Sequence, residues 1–207
     1  MPDIFQLAEQ KLREKESHAL NFDENNDSAV DLLETVILVC GSVACGKTSL
    51  IQRFMETSQE DSKTLALEYR YATRMKNNKK EVASVWELGS GAKMVKLIST
   101  SLSLEFIENS SLLIFMDLTN PSQLPQMVFD IVQNITEKTT TILKTINNTN
   151  PERYDRIQKI MAKFNDHKDA SLMNVFPFPI TFVAARYDQY QNMESEKKKL
   201  IYKECRR

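Results

Sequence analysis

Val36-Ile37-Leu38-Val39-Cys40-Gly41-Ser42-Val43-Ala44-Cys45-Gly46-Lys47-Thr48-Ser49-Leu50-Ile51-Gln52-Arg53-Phe54 decides the fold. An apolar run comes first, then G-x-x-x-x-G-K-T, then a helical pattern. This strand–loop–helix order is the context that a phosphate-binding loop requires. Gly41 and Gly46 let backbone N–H groups turn inward around an anion, and the helix directs its positive end at the same place. The residues expected at the nucleotide are Gly41, Ser42, Val43, Ala44, Cys45, Gly46, Lys47, Thr48 and Ser49. Lys47 would reach the terminal phosphates as a point charge, and Thr48 would hold Mg²⁺ through its hydroxyl.

The chain has 207 residues, a net charge of -1 and only four glycines, two of them in this loop. Its length predicts one domain with a real core. The near-neutral charge gives no field for nucleic acid or a membrane surface, and no apolar run approaches the ~18 residues of a membrane span. Three cysteines, two of them in the strand and loop, fit reduced thiols. His18 and His167 lack ligand spacing and are expected at the surface.

Upstream, Ile4, Leu7, Ala8 and Leu12 recur at helical spacing, and residues 21–31 read as an acidic linker. The expected division is 1–31 for this helix and linker and 32–207 for the phosphate-loop domain. Downstream, the loop's helix should end between Glu56 and Gln59. Thr64 to Tyr71 alternates as a half-exposed strand, Met75 to Lys80 reads as a polar turn, and Val82 to Leu88 as the return strand of an antiparallel hairpin. Residues 92–108 read as helix with a loop. Leu112 to Met116 is a continuous apolar run, hence a central parallel strand ending at Asp117. Leu124 to Ile146 forms a long amphipathic helix, and Pro151 starts another that carries Ile157, Ile160 and Phe164. A polar stretch, 165–175, leads to a strand over Ile180 to Ala184 and a lysine-rich helix over 191–205. The basic residues Arg70, Arg74, Lys76, Lys79 and Lys80 read as a solvated hairpin tip. Strand–helix alternation around a phosphate loop predicts a three-layer α/β/α sandwich with a mostly parallel sheet.

The order of parts resembles the small Ras-like GTPases, with departures. Trp86 stands where the magnesium-side aspartate of D-x-x-G belongs, so Glu87 is the candidate acid, one residue nearer Gly89. Ser90 replaces the glutamine that positions the attacking water. The base-reading N-K-x-D is present as Ala185-Arg186-Tyr187-Asp188, in which Asp188 keeps the guanine-edge acceptor and Ala185 cannot make the asparagine contact.

Taken together, Ile37 to Arg53, Leu65 to Tyr69, Trp86-Glu87-Leu88-Gly89, Phe115-Met116-Asp117-Leu118 and Phe176 to Lys199 resemble the dynein light intermediate chain family, most closely its cytoplasmic dynein 2 members. The resemblance implies a Ras-like P-loop domain in a non-catalytic subunit that binds a guanine nucleotide (GDP or GTP) with Mg²⁺ at Thr48 and Glu87. It implies association with the dynein 2 heavy-chain tail and the complex's other subunits, with microtubules only indirectly. It also implies the cytoplasm, the cytoskeleton and the cilium, at its base and axoneme, in retrograde intraflagellar transport and cilium assembly. Ala44-Cys45 stands where the dynein 2 members tend to have glycine. Family members continue well past Arg207, so the sandwich is expected to lack its last strand and helix. The alternative is an active small GTPase or NTPase switch using Lys47, Thr48 and Asp117.

Overall fold

The computed structural model describes residues 33–56, 64, 66–76, 79–89, 96–97, 101–170 and 174–205. The expected N-terminal helix and linker, His18 and Ser90 lie outside them. Among the described residues, β1 (Leu33–Gly41), β2 (Leu67–Lys76), β3 (Lys79–Leu88), β4 (Ser110–Asp117) and β5 (Ile180–Ala185) form one sheet in the order β2-β3-β1-β4-β5. β1 is central and parallel to both β3 and β4. β4 is parallel to β5, and only β2 runs antiparallel, against β3. The expected sandwich is therefore observed.

β1 is apolar at every position from Val36 to Cys40 because both of its faces are covered. Val36, Leu38 and Cys40 enter the larger core, and Val39 the smaller one. The larger core lies beneath α2 (Leu124–Thr149) and α3 (Pro151–Ala162). α2 turns Leu124, Met127, Ile131, Ile135, Ile142 and Ile146 inward, a spacing of three and four residues over a helix about 39 Å long. Burying each such side chain contributes roughly 1.5–3 kcal/mol. α3 begins where Pro151 takes the first helical position and the Asn150 side chain accepts from the Arg153 N–H at 3.0 Å. Arg153 then ties this helix to Glu108 at 2.8 Å.

The smaller core lies on the other face, under α1 (Lys47–Phe54), where Ile51 and Cys45 meet Val39, Val85 and Phe115. Two short helices complete the described chain, α4 (Tyr187–Gln191) and α5 (Ser195–Cys205).

Several boundaries differ from expectation. α1 stops at Phe54, and Glu56 follows with φ 52°. Met75 to Lys80 is not a free turn: β2 runs to Lys76 and β3 starts at Lys79, because backbone pairing continues past the end of the apolar pattern. Phe164 lies in turns beyond α3, and the last helix starts at Ser195 rather than 191. Arg70 is not part of a solvated tip. Its side chain is 12% exposed and pairs with Glu68 at 2.7 Å, whereas Arg74 is largely exposed and pairs with Glu81 across the hairpin. His167 is at the surface, as expected, beside Asp169.

Candidate functional site

The phosphate loop leaves β1 at Gly41, whose φ of 124° disfavours any side chain. A Cβ there would sit 2.1 Å from the Phe115 carbonyl oxygen, so only glycine lets β1 turn this close to β4. The next amide, Ser42 N–H, donates to that same carbonyl at 2.8 Å. Ser42 Oγ accepts from the Asp117 N–H at 3.0 Å, which fixes the loop's first residue to the end of β4. Val43 and Ala44 are exposed at the crest, and Ala44 takes a left-handed φ of 53°. Gly46 caps α1 with φ 92° and open space where a Cβ would lie.

Lys47 is only 4% exposed. Its Nζ donates to the Ser42 carbonyl at 2.7 Å, so the ammonium lies folded under the loop. Cys45 Sγ donates to the same carbonyl at 3.0 Å. Burial raises the Cys45 thiol pKa and pushes that of Cys40 up to about 12, so neither thiol is a nucleophile at neutral pH. Ser49 lies exposed in the first turn of α1.

Thr48 and Glu87 are brought together from 39 residues apart: Thr48 Oγ1 donates to Glu87 Oε1 at 2.6 Å. Strand alternation explains why Glu87, and not Trp86, reaches Thr48. Trp86 pairs with Leu38 and faces the larger core, where its ring packs 4.6 Å from that of Tyr69. Glu87 pairs with Val39 on the α1 face, where Thr48 stands. Glu87 is 2% exposed, and its Oε2 has no hydrogen-bond partner among the described residues. Burial raises its pKa above the usual carboxylate range, while the Thr48 hydrogen bond and the Lys47 charge pull it back. A buried carboxylate oxygen with no partner among the described residues, beside a hydroxyl, fits the oxygen donors that a divalent cation takes. Thr48 and Glu87 would hold such an ion, which would neutralise charge on the phosphates. Among the described residues no group of three or more His, Cys, Asp or Glu could form a metal cage, and Mg²⁺ bound through phosphates needs none.

Asp117, the acid of the alternative reading, is engaged by other side chains. Its Oδ1 accepts from the Thr119 N–H at 2.9 Å and from Thr119 Oγ1 at 2.6 Å, and its Oδ2 lies 3.5 Å from Arg186 Nη1. Asp188 is exposed in the first turn of α4, just past the end of β5. The sequence pattern alone assigns Arg186 no role. Its Nη2 donates to the Ala44 carbonyl at 2.6 Å, linking the segment after β5 to the loop after β1. A basic residue two positions before Asp188, at the lysine position of N-K-x-D, was the available signal.

The dynein light intermediate chain family matches residues 28–180. Cytoplasmic dynein 2 light intermediate chain 1 of Homo sapiens is 32% identical over 197 residues, covering 93% of this chain and 56% of that one. Its Mus musculus counterpart is 28% identical over 209 residues, covering 98% of this chain and 58% of that one. The chain thus spans little more than half the length of these relatives. Among solved structures, the dynein light intermediate chain's conserved domain superposes with a TM-score of 0.52 at 13% identity, covering 83% of this chain and 62% of that one. That likeness bears on fold alone.

Proposed function

Because the chain belongs to the dynein light intermediate chain family, we propose that it acts as a non-motor subunit of the cytoplasmic dynein 2 complex. In this reading it binds the heavy-chain tail and supports retrograde intraflagellar transport and cilium assembly, in the cytoplasm and at the cilium. The observation that carries it is the family match over residues 28–180. A nucleotide, GDP or GTP with Mg²⁺, is held by its phosphates on residues 41–49. Lys47 supplies charge, Thr48 and Glu87 supply the metal side, and Asp188 supplies the base acceptor. The buried, unpartnered Glu87 Oε2 beside Thr48 supports the metal side.

The domain holds nucleotide as a structural element and turns it over slowly at most. Ser90 has no carboxamide to orient water, and positioning of the nucleophile is a large part of phosphoryl-transfer catalysis. The alternative, a switch using Asp117 as its acid, is disfavoured by the commitment of that carboxylate to Thr119 and Arg186.

The test has two readouts. Co-expression with the dynein 2 heavy-chain tail should yield a complex that survives size-exclusion chromatography. A folded chain that elutes apart from the tail overturns the subunit reading. Nucleotide released by denaturing the purified chain should be GDP or GTP, and empty protein that binds neither overturns the nucleotide reading.

A further inference from the structure

Two charged side chains have a buried polar atom with no hydrogen-bond partner among the described residues: Arg70 at Nη1 and Glu87 at Oε2. They carry opposite charges and share one face of the sheet. Glu68 and Glu87 are direct partners across the antiparallel pair of β2 and β3, and Arg70 stands opposite Val85. Val85 belongs to the smaller core under α1, and Glu87 bonds to Thr48 in that helix. By alternation, residues 68 and 70 of β2 turn to the α1 side, while Tyr69 packs on Trp86 on the other. Opposite side chains in such a pair have Cβ atoms about 4.5–5.5 Å apart, so the Glu68 and Glu87 side chains are neighbours.

The guanidinium uses only part of its fork on Glu68. Nε and Nη2 both donate to Glu68 Oε1, at 3.1 and 2.7 Å, and Glu68 Oε2 accepts from Thr64 Oγ1 at 2.8 Å. Nη1 is left over, in a side chain 12% exposed. Lys47, the other cation acting on Glu87, directs its Nζ to the Ser42 carbonyl. Arg70 is therefore the cation here with a donor to spare, and a buried donor or acceptor left unpaired is unfavourable.

We propose that Arg70 is the resident counter-cation of Glu87, and that a divalent cation entering the site competes with it for the Glu87 carboxylate. The pairing stands on strand register and the two unpartnered atoms. The competition rests on the nucleotide and Mg²⁺ reading above. Arg70 thus sets how much Mg²⁺ the site requires, because the metal must displace a guanidinium already beside the acid.

A double-variant cycle on the full chain, free of metal and nucleotide, tests the pairing by urea unfolding at about pH 8. Arg70→Gln should lower the folding equilibrium constant, and the loss should be roughly tenfold smaller in a Glu87→Gln background. Equal losses in the two backgrounds overturn the inference and leave Arg70 as a partner of Glu68 alone. If Arg70→Gln does not fold by itself, the double variant with Glu87→Gln should fold, and a double variant that also fails overturns the inference. Mg²⁺ titration of fluorescent GDP binding tests the competition. The Mg²⁺ concentration of half-maximal effect should fall by about tenfold in Arg70→Gln and stay near the parent's in Arg70→Lys, which keeps the charge. A midpoint that Arg70→Gln does not move overturns the competition. If the parent chain binds no GDP analogue, the nucleotide reading falls and the competition with it, while the cycle still decides the pairing.

Discussion

The hydroxyl of Thr48 donates a 2.6 Å hydrogen bond to Oε1 of Glu87, and the buried Oε2 has no partner among the described residues. Thr48 opens the helix after the phosphate loop, and Glu87 lies near the end of a neighbouring strand. Glu87→Gln keeps an acceptor for Thr48 and removes the charge. We expect it to weaken Mg²⁺-dependent nucleotide binding by roughly tenfold to a hundredfold. Titration of the nucleotide with and without Mg²⁺ reads this, and an unaltered Mg²⁺ response would remove Glu87 from the metal side.

The same carboxylate predicts a pH dependence. Burial raises its folded pKa above the ordinary value of 4.5. Between 4.5 and the raised value the folded state binds more protons than the unfolded one, so Glu87 makes stability fall as pH rises through that interval. Above the folded pKa its full penalty is present, and below 4.5 it vanishes. Glu87→Gln should therefore be stabilised relative to the parent most strongly near neutral pH, with the difference shrinking on acidification. Urea unfolding of both proteins across pH 4 to 8, without Mg²⁺, checks the sign, and a difference that grows toward low pH contradicts it.

Lys47→Ala should abolish nucleotide binding. Charge-assisted contacts contribute about 1.5–3 kcal/mol each, and several are disturbed together. The nucleotide content of the purified variant measures this, and content equal to that of the parent would sink the phosphate-loop assignment.

Two glycines of the loop should respond differently to alanine. In Gly41→Ala the new methyl meets the Phe115 backbone oxygen at 2.1 Å, on top of a φ of 124°. Neither group can yield without disturbing the β1–β4 pairing at Gly41 and Phe115, and we expect a loss above about 3 kcal/mol. In Gly46→Ala the methyl meets nothing within 4 Å, so only the positive φ counts, at about 1–2 kcal/mol. Thermal unfolding of the two variants orders them, and equal losses would refute the steric part.

Hydrolysis by the chain alone should be slow. Single-turnover decay of bound GTP is the measurement. A rate on the order of 5–20 s⁻¹, typical of a fully activated GTPase, would favour the switch over the subunit.

The strand and helix that flank the G-x-x-x-x-G-K-T loop, the two-sided strands and the long helix are all legible in the residues themselves. Each is written locally: glycine and lysine spacing for the loop, unbroken apolar runs for β1 and β4, and three-and-four spacing for α2. Glu87 could also be named, because an acid stood one place from its expected position. Its one-residue offset became intelligible only in the sheet. Register against β1 sends Trp86 to one face and Glu87 to the other, toward Thr48.

Strand and helix ends are less legible in the sequence. Pairing of β2 with β3 runs on through polar residues, since ladder hydrogen bonds need no apolar side chains. Arg70 looks like surface charge in the sequence; strand alternation alone sets it beside Glu68, but only the packed fold leaves 12% of its side chain exposed. Arg186 shows the limit most clearly. Its partners, Ala44 and Asp117, lie 142 and 69 residues away in the chain. Local pattern determines which elements form, because periodicity and turn chemistry act over a few residues. Which side chains then meet depends on sheet order and register, and those exist only once the distant strands have paired.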